Sequence, residues 1–226
     1  GMVVAETLGY NLYTADIGLT PSDFTAITST AGAQMGIVSL SSTGWNDLGD
    51  MIDAAKGGQE IRLGIMSPRL SDIAYLLGQA NGVEFNIVQV RGGRAVMNGV
   101  NAGDMDAGFM AGIQGKGVAA GDLVNLASAM AEPLKQTPDA PLVSEYGVKY
   151  DSNALFMFAG PGGMPNEARD ALAAAIGEVA SDPDTEAGAL IQRAFGGSQT
   201  ISGDELMALL EAGFAASEEL LNEVSQ

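Results

Sequence analysis

Two apolar periodicities alternate through the middle of the chain. Short apolar runs recur at Gly36–Leu40 (GIVSL), Ile61–Met66 (IRLGIM), Val83–Val90 (VEFNIVQV), Met105–Met110 (MDAGFM) and Leu123–Ser128. Each has strand length and is bounded by Gly, Asn or Asp turns. Between them, Leu48, Met51, Ile52 and Ala55 fall on one helical face, as do Ile73, Leu76, Leu77 and Ala80, and then Val96, Met97 and Val100. Thr43 is the expected N-cap of the first of these helices, which Lys56-Gly57-Gly58 ends. Ser71 or a neighbour opens the second and Asn81-Gly82 stops it. Strand, helix and strand joined by short connections predict a mostly parallel sheet covered by helices. Such sheets bind ligands beyond the C-terminal ends of their strands.

The two ends of the chain read differently. Gly9–Ala15 (GYNLYTA) and Asp23–Thr28 (DFTAIT) have strand composition. Pro133, Pro138, Asp139 and Pro141 mark a long loop, and Asn153–Ala159 (NALFMFA) is a strand. Pro165 is suited to the first position of a helix whose buried stripe is Ala168, Leu172, Ile176 and Val179. Ser181 is expected to cap the next helix, which Gly196-Gly197 ends. Ser202 and Glu205 have capping-box spacing before a last helix carrying Leu206, Leu209, Leu210, Phe214 and Leu221.

The chain has 226 residues, enough for one large domain or two small ones. Its 46% hydrophobic and 17% charged residues describe a globular protein. No apolar run approaches the ~18 residues of a membrane span, and no signal peptide follows Met2. With 28 acids against 10 bases the net charge is −18, a surface that repels nucleic acid and anionic membranes alike. Cys and His are both absent. That excludes disulfides, thiolate chemistry, Cys/His zinc sites and imidazole-based triads. There is no EF-hand spacing, G-x-S-x-G elbow, Walker A loop or G-x-G-x-x-G turn, so neither metal nor cofactor nor catalysis is expected. The lone Trp45 and the eleven Met residues read as packing.

In so acidic a chain the placement of the few cations is informative. Arg69, Arg91 and Arg94 each follow an expected strand, where a helix begins. A helix start offers free amides and partial positive charge to an anion, and an arginine adds forked donors that match a carboxylate. Gly92 and Gly93 let the backbone approach a ligand. The competing reading pairs these arginines with surface acids. Ser67-Pro68-Arg69 is either an anion-contacting loop or an ordinary first helical turn. Thr14-Ala15-Asp16 closes the first expected strand, and Asp16 would repel a carboxylate unless it caps a backbone or meets a cationic part of the ligand.

In their order, the segments GYNLYTADIG, DFTAITSTAG, VQVRGGRAVMNGVNAGDMDAGFM, LKQTPDAPLVSEYG and FMFAGPGGMPNEARDALAAAI resemble the tripartite tricarboxylate transporter receptors, the Bug or TctC-like periplasmic solute-binding proteins. The resemblance spans nearly the whole chain and is most specific from Val88 to Met110. It implies an α/β, two-lobed periplasmic-binding-protein-like (type II) fold. One lobe would comprise residues 1–36 plus 152–226 and the other residues 37–151. It further implies a small organic carboxylate as ligand, membrane transporter subunits as partners and a periplasmic location. Carried onto this chain, the ligand contacts are Thr14, Ala15 and Asp16 in the first lobe. In the second they are Met66 and Ser67, with Arg69 beside them, then Arg91, Gly92 and Gly93, and finally Met110 and Ala111. Family members begin with a further strand, glycine-rich loop, helix, strand and helix, and this chain resembles them only from the end of that last helix. The first lobe is therefore expected to be incomplete, with an open sheet edge and apolar surface that favour a homodimer. A repurposed, oligomerising module without transport activity is the alternative implied. The family's frequent acid is absent at Met110, and its small polar loop is here Met66-Ser67-Pro68-Arg69.

Overall fold

A computed structural model describes residues 1–15 and 17–225. The chain divides into two compact units, Gly1–Ala33 with Ala154–Gln226, and Gln34–Asn153.

The first unit is built on a three-stranded sheet of β1 (Met2–Val4), β2 (Phe24–Gly32) and β8 (Leu155–Pro161). Its order is β1-β8-β2 and both pairings are antiparallel, so the expected parallel character does not extend to this unit. The outer edge of β2 is sealed by the segment before the last helix. Ser29 N–H donates to Ile201 O at 2.8 Å, and Gln199 N–H donates to Thr30 O at 3.0 Å. Helices α6 (Asn166–Ser181), α7 (Glu186–Phe195) and α8 (Gly203–Val224) complete the unit with α1 (Ala5–Ala15).

Helix α1 corrects the expectation of a strand at Gly9–Ala15. Tyr and Thr favour strands only weakly, and packing overrides them. Tyr10 and Leu12 are buried, and Tyr13 meets Phe214 of α8 edge-on at 5.4 Å. Gly9 permits that approach: a Cβ there would lie 3.0 Å from the Phe214 backbone nitrogen. Three further expectations fail locally. The stripe Ala168, Leu172, Ile176 and Val179 is not the buried face of α6; Leu172 and Val179 are 44% and 48% exposed, while Ala180 is buried. Ser181 ends α6, and Thr185 caps α7, accepting from Gly188 N–H at 3.0 Å. Ser202 occupies the N-cap position of α8 but its side chain accepts no cap bond, because a backbone bridge to Thr28 fixes it on β2.

The second unit carries β3 (Gly36–Leu40), α2 (Leu48–Lys56), β4 (Arg62–Ile65), α3 (Pro68–Asn81), β5 (Asn86–Gln89), α4 (Gly93–Ala102), β6 (Ala107–Met110), α5 (Gly115–Ala120) and β7 (Leu123–Ser128). The sheet order is β5-β4-β6-β3-β7. β4 runs parallel to β5 and β6, whereas β3 runs antiparallel to both β6 and β7. Four of the five strands therefore point one way, joined by helical crossovers, and β3 is inserted against them. Ile37, Leu63, Ile65, Phe109 and Leu126 are fully buried between the helices. Helix α2 begins later than Thr43 because Gly44 turns the chain through φ 80°, and Asp47 becomes the cap, accepting from Asp50 N–H.

Candidate functional site

Register brings three loops together at one end of the second sheet. Ile65 stands opposite Gln89, Gly64 opposite Gly108, and Met110 opposite Gly36. The C-terminal ends of β5, β4 and β6 are thus adjacent, and each leads directly towards a helix. The loops are Met66-Ser67, Val90-Arg91-Gly92 and Ala111 to Gln114. This is where a doubly wound sheet presents ligand-binding backbone.

Helix α4 is seated unusually close to the strands beneath it. Gly64 and Gly108 pair across β4 and β6. A Cβ on Gly108 would clash with Val96 Cγ1, and one on Gly64 would clash with Met105 Sδ. Two facing glycines therefore let Val96 press onto the sheet and set the height at which α4 begins. Its N-cap, Gly92, has φ 80° and ψ 158°, a conformation that an L side chain rarely adopts. The first amides of α4, at Gly93 and Arg94, have no carbonyl within the helix to bond. Arg91 and Arg94 are both exposed, and among the described residues neither forms an ion pair. The competing reading, in which surface acids neutralise the arginines, finds no such pair for Arg91 or Arg94 among the described residues.

Ser67 is buried, and its hydroxyl accepts from Leu70 N–H at 3.3 Å, so it is the N-cap of α3. Arg69 is half-buried in the first turn of that helix and has an interaction partner of its own. Met66 is partly buried and packs against the core. Met110 is fully buried, so its side chain belongs to the core, while Ala111 remains partly accessible. Thr14 and Ala15 lie in the first unit, exposed in the last turn of α1, where Thr14 Oγ1 donates to Tyr10 O at 3.0 Å. A helix C-terminus presents carbonyls and partial negative charge. Asp16 lies outside the described residues.

Glutamines that carry no sequence signal hold the third loop. Gln114 Oε1 accepts from Gly112 N–H at 2.7 Å, and its Nε2 donates to Gln34 O at 3.0 Å. Gln34 N–H donates to Ala111 O, and Gln34 Oε1 accepts from Lys135 N–H at 2.8 Å. Ile113, between them, is left 39% exposed. At the opposite end of the sheet, Arg62 grips Asp106 with two guanidinium bonds of 2.8 and 3.0 Å and a backbone bond of 2.8 Å. Those bonds hold the Asp106 carboxyl below the usual aspartate range despite its partial burial. Among the described residues no group of His, Cys, Asp or Glu side chains could hold a metal ion.

No protein-family model matches this chain, and no curated protein sequence does. Solved structures do. A TctC solute-binding protein from Polaromonas, without ligand, is 18% identical with a TM-score of 0.72, over 98% of this chain and 77% of that one. The periplasmic binding protein BugD is 17% identical with a TM-score of 0.81, over 99% and 77%. A Rhodopseudomonas palustris protein with adipate is 19% identical with a TM-score of 0.78, over 99% and 77%. Identity this low speaks to architecture alone, and on that ground the chain has the fold of the TctC and Bug solute-binding proteins.

Proposed function

We propose that this protein is a receptor that captures a small organic carboxylate and performs no chemistry on it. The observation that carries the reading is the pair Arg91 and Arg94. Both are exposed and free of ion pairs among the described residues, and they bracket the start of α4 in a chain of net charge −18. Their guanidinium groups and the open amides of Gly93 and Arg94 are the donors a carboxylate needs. Met66, Ser67 and Ala111 line the adjacent loops of the same unit. The adipate in the Rhodopseudomonas palustris neighbour supports the ligand class. The fold supports a periplasmic location and delivery to a tripartite tricarboxylate-type transporter.

Titration calorimetry of the folded chain against di- and tricarboxylates tests this. Saturable one-site binding is expected, and the double variant Arg91→Ala, Arg94→Ala should weaken it by about tenfold or more, since charge-assisted bonds are lost. Neither heat nor a thermal shift with any carboxylate at millimolar concentration would refute the reading.

One observation favours a second reading. In the first unit a hollow of about 600 Å³ is lined by Met2, Phe156, Phe158, Ile176, Val179 and Leu190, with almost no polar surface. An open apolar surface of this kind suits an oligomerising module or homodimer. Light scattering on the eluting protein distinguishes a monomer from an associated form.

A further inference from the structure

Two kinds of surface meet at Gly93. The charged kind is Arg91, Arg94 and the first turn of α4. The other is apolar and assembled from the two neighbouring loops. A methyl group placed on Gly93 would lie 3.5 Å from Ile113 Cδ1 and 3.6 Å from Met66 Sδ. Ile113 is one of few large aliphatic side chains in the second unit left open to solvent, at 39%. Polar groups around it already take part in bonds within the protein. Gly112 N–H is held by Gln114 Oε1, Gln114 is itself fully buried, and the Ser67 hydroxyl accepts from Leu70 N–H. A ligand hydroxyl pressed against the Met66 and Ile113 side chains would lose its water and receive no bond from either of them. A methylene there loses nothing and leaves water for an apolar wall.

We infer that the second unit selects a carboxylate bearing an unsubstituted aliphatic segment, with Ile113 and Met66 as the residues that read that segment. The inference rests on the carboxylate-receptor reading above and narrows it from a class of charge to a class of chain. Arg91 and Arg94 supply attraction common to any carboxylate. Met66 and Ile113 supply the difference between one carboxylate and another.

The test is titration of the intact chain with succinate, adipate, suberate, malate and citrate at one fixed low salt concentration. Affinity should rise by up to about fourfold for each methylene that becomes buried. Malate should bind no more tightly than succinate. Ile113→Asn should flatten this chain-length dependence, because the apolar wall is lost while the charged contacts survive. Ile113→Val should retain most of the dependence, and melting temperatures near the parent's would show that both variants fold. Malate or citrate bound more tightly than adipate, or a chain-length dependence unchanged in Ile113→Asn, overturns the inference and leaves the carboxylate reading standing. Failure of all five acids to bind overturns both.

Discussion

The residue that most clearly separates scaffold from site is Asp106. Its carboxylate accepts from the Arg62 guanidinium and from the Arg62 amide, which ties the starts of β4 and β6 together. Because its pKa is lowered in the folded state, the pair stabilises the fold fully above the unfolded aspartate value of about 3.9. The contribution is lost as pH falls through the lower folded value. Asp106→Asn should lower the melting temperature by about 2–6 °C at neutral pH. The difference from the parent should shrink towards zero in acid. A constant difference from pH 7 down to pH 2 would show that the charge plays no part. Arg91 and Arg94 are the opposite case, cations that form no ion pair among the described residues. Both were legible in the sequence as arginines after strands. Ile113 and Gln114 were not, because nothing local distinguishes an exposed isoleucine or a buried glutamine until the neighbouring loops are in place.

At the scale of elements, the glycine pair under α4 has the largest consequence for the site. Gly108→Ala would drive a methyl into Val96 Cγ1, a β-branched side chain with little room to rotate. Urea unfolding should show a loss of about 1–3 kcal/mol, the usual cost of overpacking a core. Carboxylate affinity should fall with it, since the start of α4 would be lifted from its seat. Full stability in that variant would contradict the close packing described. The spacing of Leu48, Met51 and Ile52, and of Ile73 and Leu77, named helices whose residues are indeed buried, because one-sided burial imposes its period on sequence. The same reasoning failed for α6. Its apolar stripe exists, but Leu172 and Val179 remain about half exposed and it is Ala180 that packs against Ala31 of β2. Periodicity reports that a face is apolar, not which neighbour covers it.

For the whole molecule, net charge and apolar surface oppose each other. A charge of −18 resists self-association, whereas in the oligomerising reading the hollow beside Phe156 and Leu190 would favour it. Raising salt from about 0.01 M to about 1 M shortens the screening length from about 30 Å to about 3 Å. Association should therefore strengthen with salt, and Val179→Glu should suppress it. The same rise in salt should weaken the proposed carboxylate binding at Arg91 and Arg94, because it screens their charge. A protein that stays monomeric across that range would rule out the oligomerising reading. Binding that is indifferent to salt would count against the role given to Arg91 and Arg94.

The order of strands and helices from Gly36 to Met110 was determined locally, by apolar period, glycine stops and capping residues acting over a few positions each, whereas the short helix α5 that follows carries no such pattern. The mixed α/β class and the absence of Cys and His chemistry followed from the same linear information. Other features were decided only by tertiary structure. These are the helical state of residues 9–15, the antiparallel insertion of β3 between β6 and β7, the exposed stripe of α6, and the meeting of Met66, Gly93 and Ile113. Each depends on residues far apart in the chain competing for the same space, and that competition has no counterpart in a local pattern.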